Sequence, residues 1–293
     1  MAGLYKEVFI AQLMEGFYPN TSFLNYVTNM NEHVRNDAIN LAEAGVAPAV
    51  LENNTAYPIP MFERDDTPIR LPLDYFDTEN TVVRNVAEMR TSYSISESHI
   101  RGHRNSLRKR TARKAAHAYA PQSDGTFTPV IATTGADRGD GHKRLTTADI
   151  LTLKRRYDQA EIDMDGRYLV LDPLHLEDLI LEDLKAFKDI ADFVEGKPKR
   201  FAGFNILSTT ICPTYDNSTM TKKAFGADSG ANDAEASFAF HRDEVMKAEG
   251  TIQMFQRLED PEQRGDIMGF QMHFIGLPIR SKGIGAIVGA EAS

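Results

Sequence analysis

The hydrophobic positions change period several times along the chain, and each change predicts a different element. Leu4, Val8, Leu13 and Phe17 recur at roughly helical spacing and predict a short amphipathic helix, closed by Gly16 and Pro19. Residues 20–36 are polar, and 37–46 suit another helical turn or two. From Pro48 to Pro72 the period shortens to two. Tyr57, Ile59 and Met61 recur at every second position, and so do Ile69, Leu71, Leu73 and Tyr75, with Arg64-Asp65-Asp66 as a polar turn between the runs. Pro48, Pro58, Pro60, Pro68 and Pro72 fall in this window, and each removes a backbone donor. The pattern predicts a long exposed β-hairpin with proline-blunted edges. Two strands alone are marginally stable in water. The hairpin therefore lies either on its own domain or as an arm on a neighbouring subunit, with Tyr57, Ile59, Ile69 and Leu71 as the contacting side chains in the second case.

Ser94-Ile-Ser-Glu97 has the form of a capping box and predicts a helix running to Tyr119, where Ala120-Pro121 stops it. Its apolar positions are sparse: Ile100, Leu107, Ala112, Ala115, Ala116 and Tyr119. One narrow stripe is predicted to be buried, with the rest solvated or facing a polar partner. Residues 121–144 read as a flexible loop, and Thr147–Tyr157 as a capped helix. Arg167–Pro173 reads as a buried strand, Leu174–Asp192 as a helix, and Phe201–Ser208 as a second strand. That alternation predicts a compact α/β unit. Asn217–Ala236 reads as a loop, Ser237–Gln256 as part strand and part helix, Phe270–Arg280 as a strand, and Ile284–Gly289 as a last short strand. The whole is α+β, with no internal repeat.

Composition narrows the function classes. With 293 residues, 42% of them hydrophobic, the chain can bury a sizeable core in one large or two modest domains. No apolar run is long enough to span a membrane, and the first residues lack the basic start and apolar stretch of a secretory leader. Cys212 is the only cysteine, so an internal disulfide and a multi-thiolate zinc site are excluded, as expected of a soluble protein from a reducing compartment. The net charge is −9, yet between Glu97 and Lys114 lie Arg101, Arg104, Arg108, Lys109, Arg110, Arg113 and Lys114 against the single acid Glu97. That segment carries +6 and leaves −15 on the rest (−9 − 6). A general nucleic-acid binder needs a net basic surface, so the basic helix offers a local contact with a polyanion or an acidic patch, or a face paired to the acidic body.

Catalytic chemistry is sparse. Glu161, Asp163, Asp165, Gly166 and Asp172 have the rough spacing of a calcium loop, but Glu stands first, Asp stands last, and Tyr168 takes the place of a small apolar residue. A polar turn before a strand accounts for them. His99 and His103 share a helix face among arginines, where a cation is repelled. No phosphate-binding glycine loop and no nucleophile elbow is present. Cys212 precedes Pro213 with no local histidine and reads as a buried small residue. The expectation is a protein with no catalytic, metal or cofactor residues.

The order of elements resembles the tailed-bacteriophage major capsid proteins of the Hong Kong phage type, over nearly the whole chain. Asn53–Pro60 and Ile69–Val83 resemble the two strands of that family's extended hairpin, the E-loop, and Ser94–Ala120 its spine helix. Arg167–Pro173 with the following helix and Gly203–Ser208 resemble the axial core, while Ala239–Val245 and Gly283–Val288 resemble returning peripheral strands. The spine helix departs from the family in being strongly basic. The resemblance implies an N-terminal arm (1–46), E-loop (47–86), peripheral domain with spine helix (87–145), axial domain (146–236) and returning peripheral strands (237–293). It implies a non-enzymatic shell protein that self-assembles as hexamers and pentamers into an icosahedral capsid around a double-stranded DNA genome. Such a capsid is located in the virion, is assembled in the bacterial host cytoplasm, and has scaffold, portal and decoration proteins as further partners and no membrane partner. Because the family's spine helix lies toward the interior, Arg104, Arg108, Arg110 and Arg113 are expected to face packaged DNA or an acidic assembly partner. Two alternatives stand beside this one: an encapsulin-like cargo shell of the same fold, and a nucleic-acid-binding protein that uses helix 97–114. A metal-dependent enzyme built on Asp163, Asp165 and Asp172 is the reading from the enzyme class.

Overall fold

A computed structural model describes residues 23–35, 37–43, 58, 67–84, 92–182, 199–228, 230, 232–263 and 265–292. The proposed N-terminal helix, the outgoing hairpin strand with Tyr57 and Ile59, the Arg64–Asp66 turn and the helix beyond Glu182 lie outside the described residues.

Sixteen strands and three α-helices are described. The strands are β1 (Thr28–Asn29), β2 (Val34–Arg35), β3 (Ala38–Glu43), β4 (Thr67–Pro72), β5 (Asp74–Asp77), β6 (Thr81–Arg84), β7 (Val130–Ala132), β8 (Arg167–Leu171), β9 (Lys199–Phe201), β10 (Phe204–Ser208), β11 (Thr214–Asp216), β12 (Thr221–Lys222), β13 (Asp233–His241), β14 (Val245–Asp260), β15 (Gly265–Pro278) and β16 (Ile284–Val288). The helices are α1 (Ser92–Tyr119), α2 (Thr147–Gln159) and α3 (Pro173–Glu182).

The long antiparallel pair β14–β15 is the backbone of a five-stranded sheet. β1 joins it in parallel on β14, while β5 and β6 pair with successive stretches of β15. Alternation along β15 sends Met268, Phe270, Met272 and Phe274 to one face, where α1 packs with Ile100, Leu107, Ala112, Ala115 and Ala116. The opposite face carries Ile275, which with Ile39, Leu73 and Ala248 forms a small separate core. The predicted stripe of α1 is the buried one. The helix begins at Ser92, so Ser94 and Glu97 lie within its first turns instead of capping it.

The second sheet has eight strands. β8 and β10 run parallel, joined through α3, and β9 adds to β10 through a tight turn in which Ala202 and Gly203 both take positive φ. β13 pairs with β8, β11 and β16, and β7 pairs in parallel with β16. One face packs Leu169, Leu171, Phe204 and Ile287 against Ile150, Leu153 and Tyr157 of α2 and Leu179 of α3. The capping box of α2 is Thr146 with Asp149.

Several expectations are corrected. Residues 38–43 form strand β3, not helical turns, because β4 supplies a ladder from Ala38↔Pro72 to Glu43↔Thr67. Ser237–Gln256 is entirely strand, apart from the turn between β13 and β14. Residues 20–36 are not merely polar, since Phe23, Leu24 and Val27 are buried in the main core. The loop 121–144 contains β7, and 217–236 contains β12 and the start of β13. β13 and β16, matched from sequence to returning peripheral strands, pair with each other in the eight-stranded sheet, where β13 also pairs with β8 and β16 with β7. Cys212 is half-buried, with its Sγ 3.6 Å from the Thr209 carbonyl oxygen. Burial raises its thiol pKa and disfavours the thiolate.

Candidate functional site: the long helix and the hairpin base

Helix α1 turns about 100° per residue. On that basis Arg104 and Arg108 stand about 40° apart, and Arg110 and Arg113 about 60° apart, but the two pairs are separated by about 120° or more. The four arginines singled out from sequence therefore occupy two flanks. Arg101 lies with Arg104 and Arg108, spanning about 10 Å along the axis.

The two flanks have different surroundings. On one, the Arg110 guanidinium sits 4.5 Å from the Phe225 ring centroid and Lys114 Nζ 5.2 Å from it. Lys114 also pairs with Asp74 at 3.5 Å. His117 donates to the Lys223 carbonyl at 2.8 Å and meets Phe225 edge-on. Arg113 adds its field to Glu235, drawing that carboxyl's pKa down against burial and the nearby Asp172, which together hold it raised. On the other flank the side chains of Arg101, Arg104 and Arg108 form no ion pair, hydrogen bond or ring contact among the described residues. Arg101 is exposed, and the other two are half-exposed.

A groove of about 870 Å³ runs between the Phe225 flank and the segment Asp74–Thr81. Its floor includes His103 and Leu107, one wall carries Asp74, Asp77 and Glu79, and the other carries Arg110 and Lys114. His103 is buried there, bonded through Nε2 to Thr81 Oγ1 at 2.8 Å, with its ring tilted 55° against that of Phe270. Burial, with a smaller contribution from the His99 charge, lowers its pKa. The sequence reading of His99 and His103 as a shared face holds, but only His103 is structural.

The C-terminus of α1 is closed by a residue that periodicity does not reveal. Lys222 Nζ donates to the His117 and Ala120 carbonyl oxygens at 2.8 and 2.6 Å. Burial pulls its pKa down to about 8.

At the hairpin base, Leu71 is half-buried against Ile39, Leu73, Ala248 and Ile275 of its own chain. This packing supports the base of the hairpin, since two strands alone are marginally stable in water. The backbone of Ile69 pairs with that of Leu41 in the β3–β4 register.

The acidic residues considered as a calcium loop diverge. Asp163 accepts the Asp165 N–H at 3.2 Å, Asp165 pairs with Arg200, and Asp172 accepts the Leu174 N–H at 3.0 Å at the start of α3. Among the described residues no group of three or more His, Cys, Asp or Glu is arranged to hold a metal ion. No described helix is long and apolar enough to cross a membrane.

The fold is that of the tailed-phage major capsid proteins, the Hong Kong phage-type capsid fold. Among solved structures, one chain of Mycobacterium phage Che8 is similar with a TM-score of 0.63 and 16% identity, covering 92% of this chain and 91% of that one. The capsid of Ralstonia phage GP4 is similar with a TM-score of 0.63 and 10% identity, over 93% of this chain and 89% of that one. The SrpI encapsulin of Synechococcus elongatus PCC 7942 is similar with a TM-score of 0.61 and 7% identity, over 94% of this chain and 91% of that one. No family model and no curated protein matches the sequence.

Proposed function

We propose that this chain is the subunit of a closed protein shell, the icosahedral capsid of a double-stranded DNA phage. The observation that carries this reading is the agreement in fold of nearly the whole chain with chains drawn from assembled capsids. In this reading the extended hairpin (47–86) is the arm that clasps an adjacent copy, Tyr57, Ile59, Ile69 and Leu71 supply its contacts, and hexamers and pentamers close the lattice. The division into N-terminal arm, extended hairpin, peripheral and axial domains follows the same scheme. Packaged DNA, a portal, a scaffold and decoration proteins are the further partners, and the chain acts without catalysis, in virions assembled in the host cytoplasm.

The encapsulin similarity favours a second reading, a cargo shell of the same fold. Expression of the full chain followed by negative-stain electron microscopy tests the shell, with uniform closed particles expected. Nuclease-protected DNA inside particles isolated from a producing host separates the capsid from the cargo shell. A chain that stays monomeric at high concentration rejects both readings.

A further inference from the structure

We infer that Arg101, Arg104 and Arg108, and not the basic helix as a whole, form a phosphate-binding strip for duplex nucleic acid. The inference rests on the shell reading, because three cations per copy bind weakly and gain strength when many copies present them on one surface.

The cations of α1 differ in what they already touch. Arg110 and Lys114 are engaged by Phe225, and Lys114 also by Asp74, so this flank holds the 222–228 segment and the β5 edge against the helix. The charge of Arg113 acts on the carboxyl of Glu235. Arg101, Arg104 and Arg108 have no such partner among the described residues, although the rest of the chain outside segment 97–114 carries −15. Three like charges within about 60° on one helix repel one another. An isolated domain gains nothing from that arrangement, but an anionic ligand offsets it.

All three are arginines, whose planar forks match the oxygens of phosphate. They follow a line of about 10 Å, as phosphates do along a strand. The exposed aromatics Tyr75 and Phe127 do not belong to this flank: Tyr75 lines the groove on the other side, and Phe127 lies near Lys282. Without a stacking platform the strip is unsuited to single-stranded bases. It contacts the duplex backbone, without reading sequence.

The test uses the full chain with Arg101, Arg104 and Arg108 all changed to Gln, beside an Arg110→Gln/Lys114→Gln control. Glutamine keeps helix propensity close to that of arginine. Binding of a short random-sequence duplex DNA to unassembled protein is measured across a salt series, and nucleic acid retained in purified particles is measured after nuclease treatment. The triple variant is expected to form particles of parental size that retain several-fold less nucleic acid. Its slope of log affinity against log salt is expected to fall by about 2.7, at about 0.9 per contact. The Arg→Lys triple variant is expected to keep most of the binding, and the control to keep all of it.

Unchanged binding in the triple variant overturns the inference, as does an equal loss in the control. Displacement of the duplex by polyglutamate at matched charge also overturns it, by assigning the strip to an acidic protein segment. If the triple variant does not fold, arginine-directed phenylglyoxal footprinting of the wild-type chain decides. Duplex must protect Arg101, Arg104 and Arg108 and leave Arg110 unprotected. Should the wild-type chain form no particles, the shell reading fails, while duplex binding still judges the strip.

Discussion

Arg167 is the most demanding test of how the eight-stranded sheet is held. It opens β8 with its side chain 1% exposed, its guanidinium 5.6 Å from the Tyr157 ring and 6.0 Å from that of Phe204. Nε donates to the Asp163 carbonyl at 2.7 Å, another nitrogen donates to the Ile162 carbonyl, and NH1 meets Asp158 at 2.7 Å. The charge is thus spent on pinning the 158–166 loop, through two backbone acceptors and one partly exposed carboxylate. Arg167→Met keeps most of the packing volume but leaves both carbonyls without a donor, and each orphaned buried group costs about 1–3 kcal/mol. With the lost ion pair, the expected penalty is about 3–5 kcal/mol, the range for breaking a buried charge pair. For a domain of this size that lowers Tm by roughly 10 °C. Asp158→Asn leaves both carbonyl bonds intact at a half-exposed site, so about 1 kcal/mol is expected. Thermal unfolding of unassembled subunits measures both, and hydrogen exchange at 158–166 localises the effect. If Arg167→Met melts within 2 °C of the parent, or if Asp158→Asn costs as much, then the carbonyl accounting is wrong.

Other consequences follow from the same contacts. Lys222→Met removes the donor to the last carbonyls of α1 and is expected to cost about 2 kcal/mol near neutral pH. Because the folded pKa of Lys222 lies near 8 and the unfolded value is 10.5, the unfolded chain binds more protons between them, so wild-type stability gains from this group as pH rises through that window. The gain should vanish in Lys222→Met when unfolding is followed from pH 8 to 10. His175 is buried beside Ser237 Oγ at 2.7 Å, and burial lowers its pKa to about 4. Its contribution is present above pH 6.5 and is lost as pH falls toward 4, by about 3 kcal/mol, and denaturation midpoints of wild type and His175→Gln across that range should converge. Gly276→Ala places a Cβ 3.0 Å from the Ala115 Cβ and 3.1 Å from the Tyr119 hydroxyl, so about 1–2 kcal/mol of overpacking is expected in urea denaturation.

What could be read from the sequence follows a physical division. The core stripe of α1, the capped helix α2, the buried strand β8 and the final strand β16 were all legible, because their periodicity and caps are local. β3 was not: Ala38-Ile-Asn-Leu-Ala-Glu43 is rich in helix formers, and its pairing partner lies beyond residue 66. β14 hid its strand character for two reasons. Met246, Lys247, Ala248, Glu249 and Gln253 favour helix, and register shifts at Glu249/Ile252 and Arg257/Asp260 break the two-residue alternation. For the candidate site, the basic character of α1 was visible, but its division into two flanks depended on Phe225, far away in sequence. Nor could composition show Lys222 as a helix cap or Arg167 as a buried staple, since both are exceptions to the rule that such side chains stay at the surface.

The packing of α1 also decides where along its length a partner can meet it. In the N-terminal half the buried side chains are Ile100, His103 and Leu107, within an arc of about 60°, because large side chains such as Phe270 fill the space opposite. In the C-terminal half the arc widens to about 140° over Thr111, Ala112, Ala115, Ala116 and Tyr119. There Gly276 lets the helix approach β15 closely, and Tyr119 donates across to the Met246 carbonyl at 3.0 Å. A cation beyond Lys114 would have to share this crowded half, and the segment from Ala115 to Tyr119 contains no Arg or Lys. Arg101, Arg104 and Arg108, whose side chains have no partner among the described residues, lie in the less crowded half, on the N-terminal side of that close approach. An anion that meets these three side chains therefore arrives at residues 101–108.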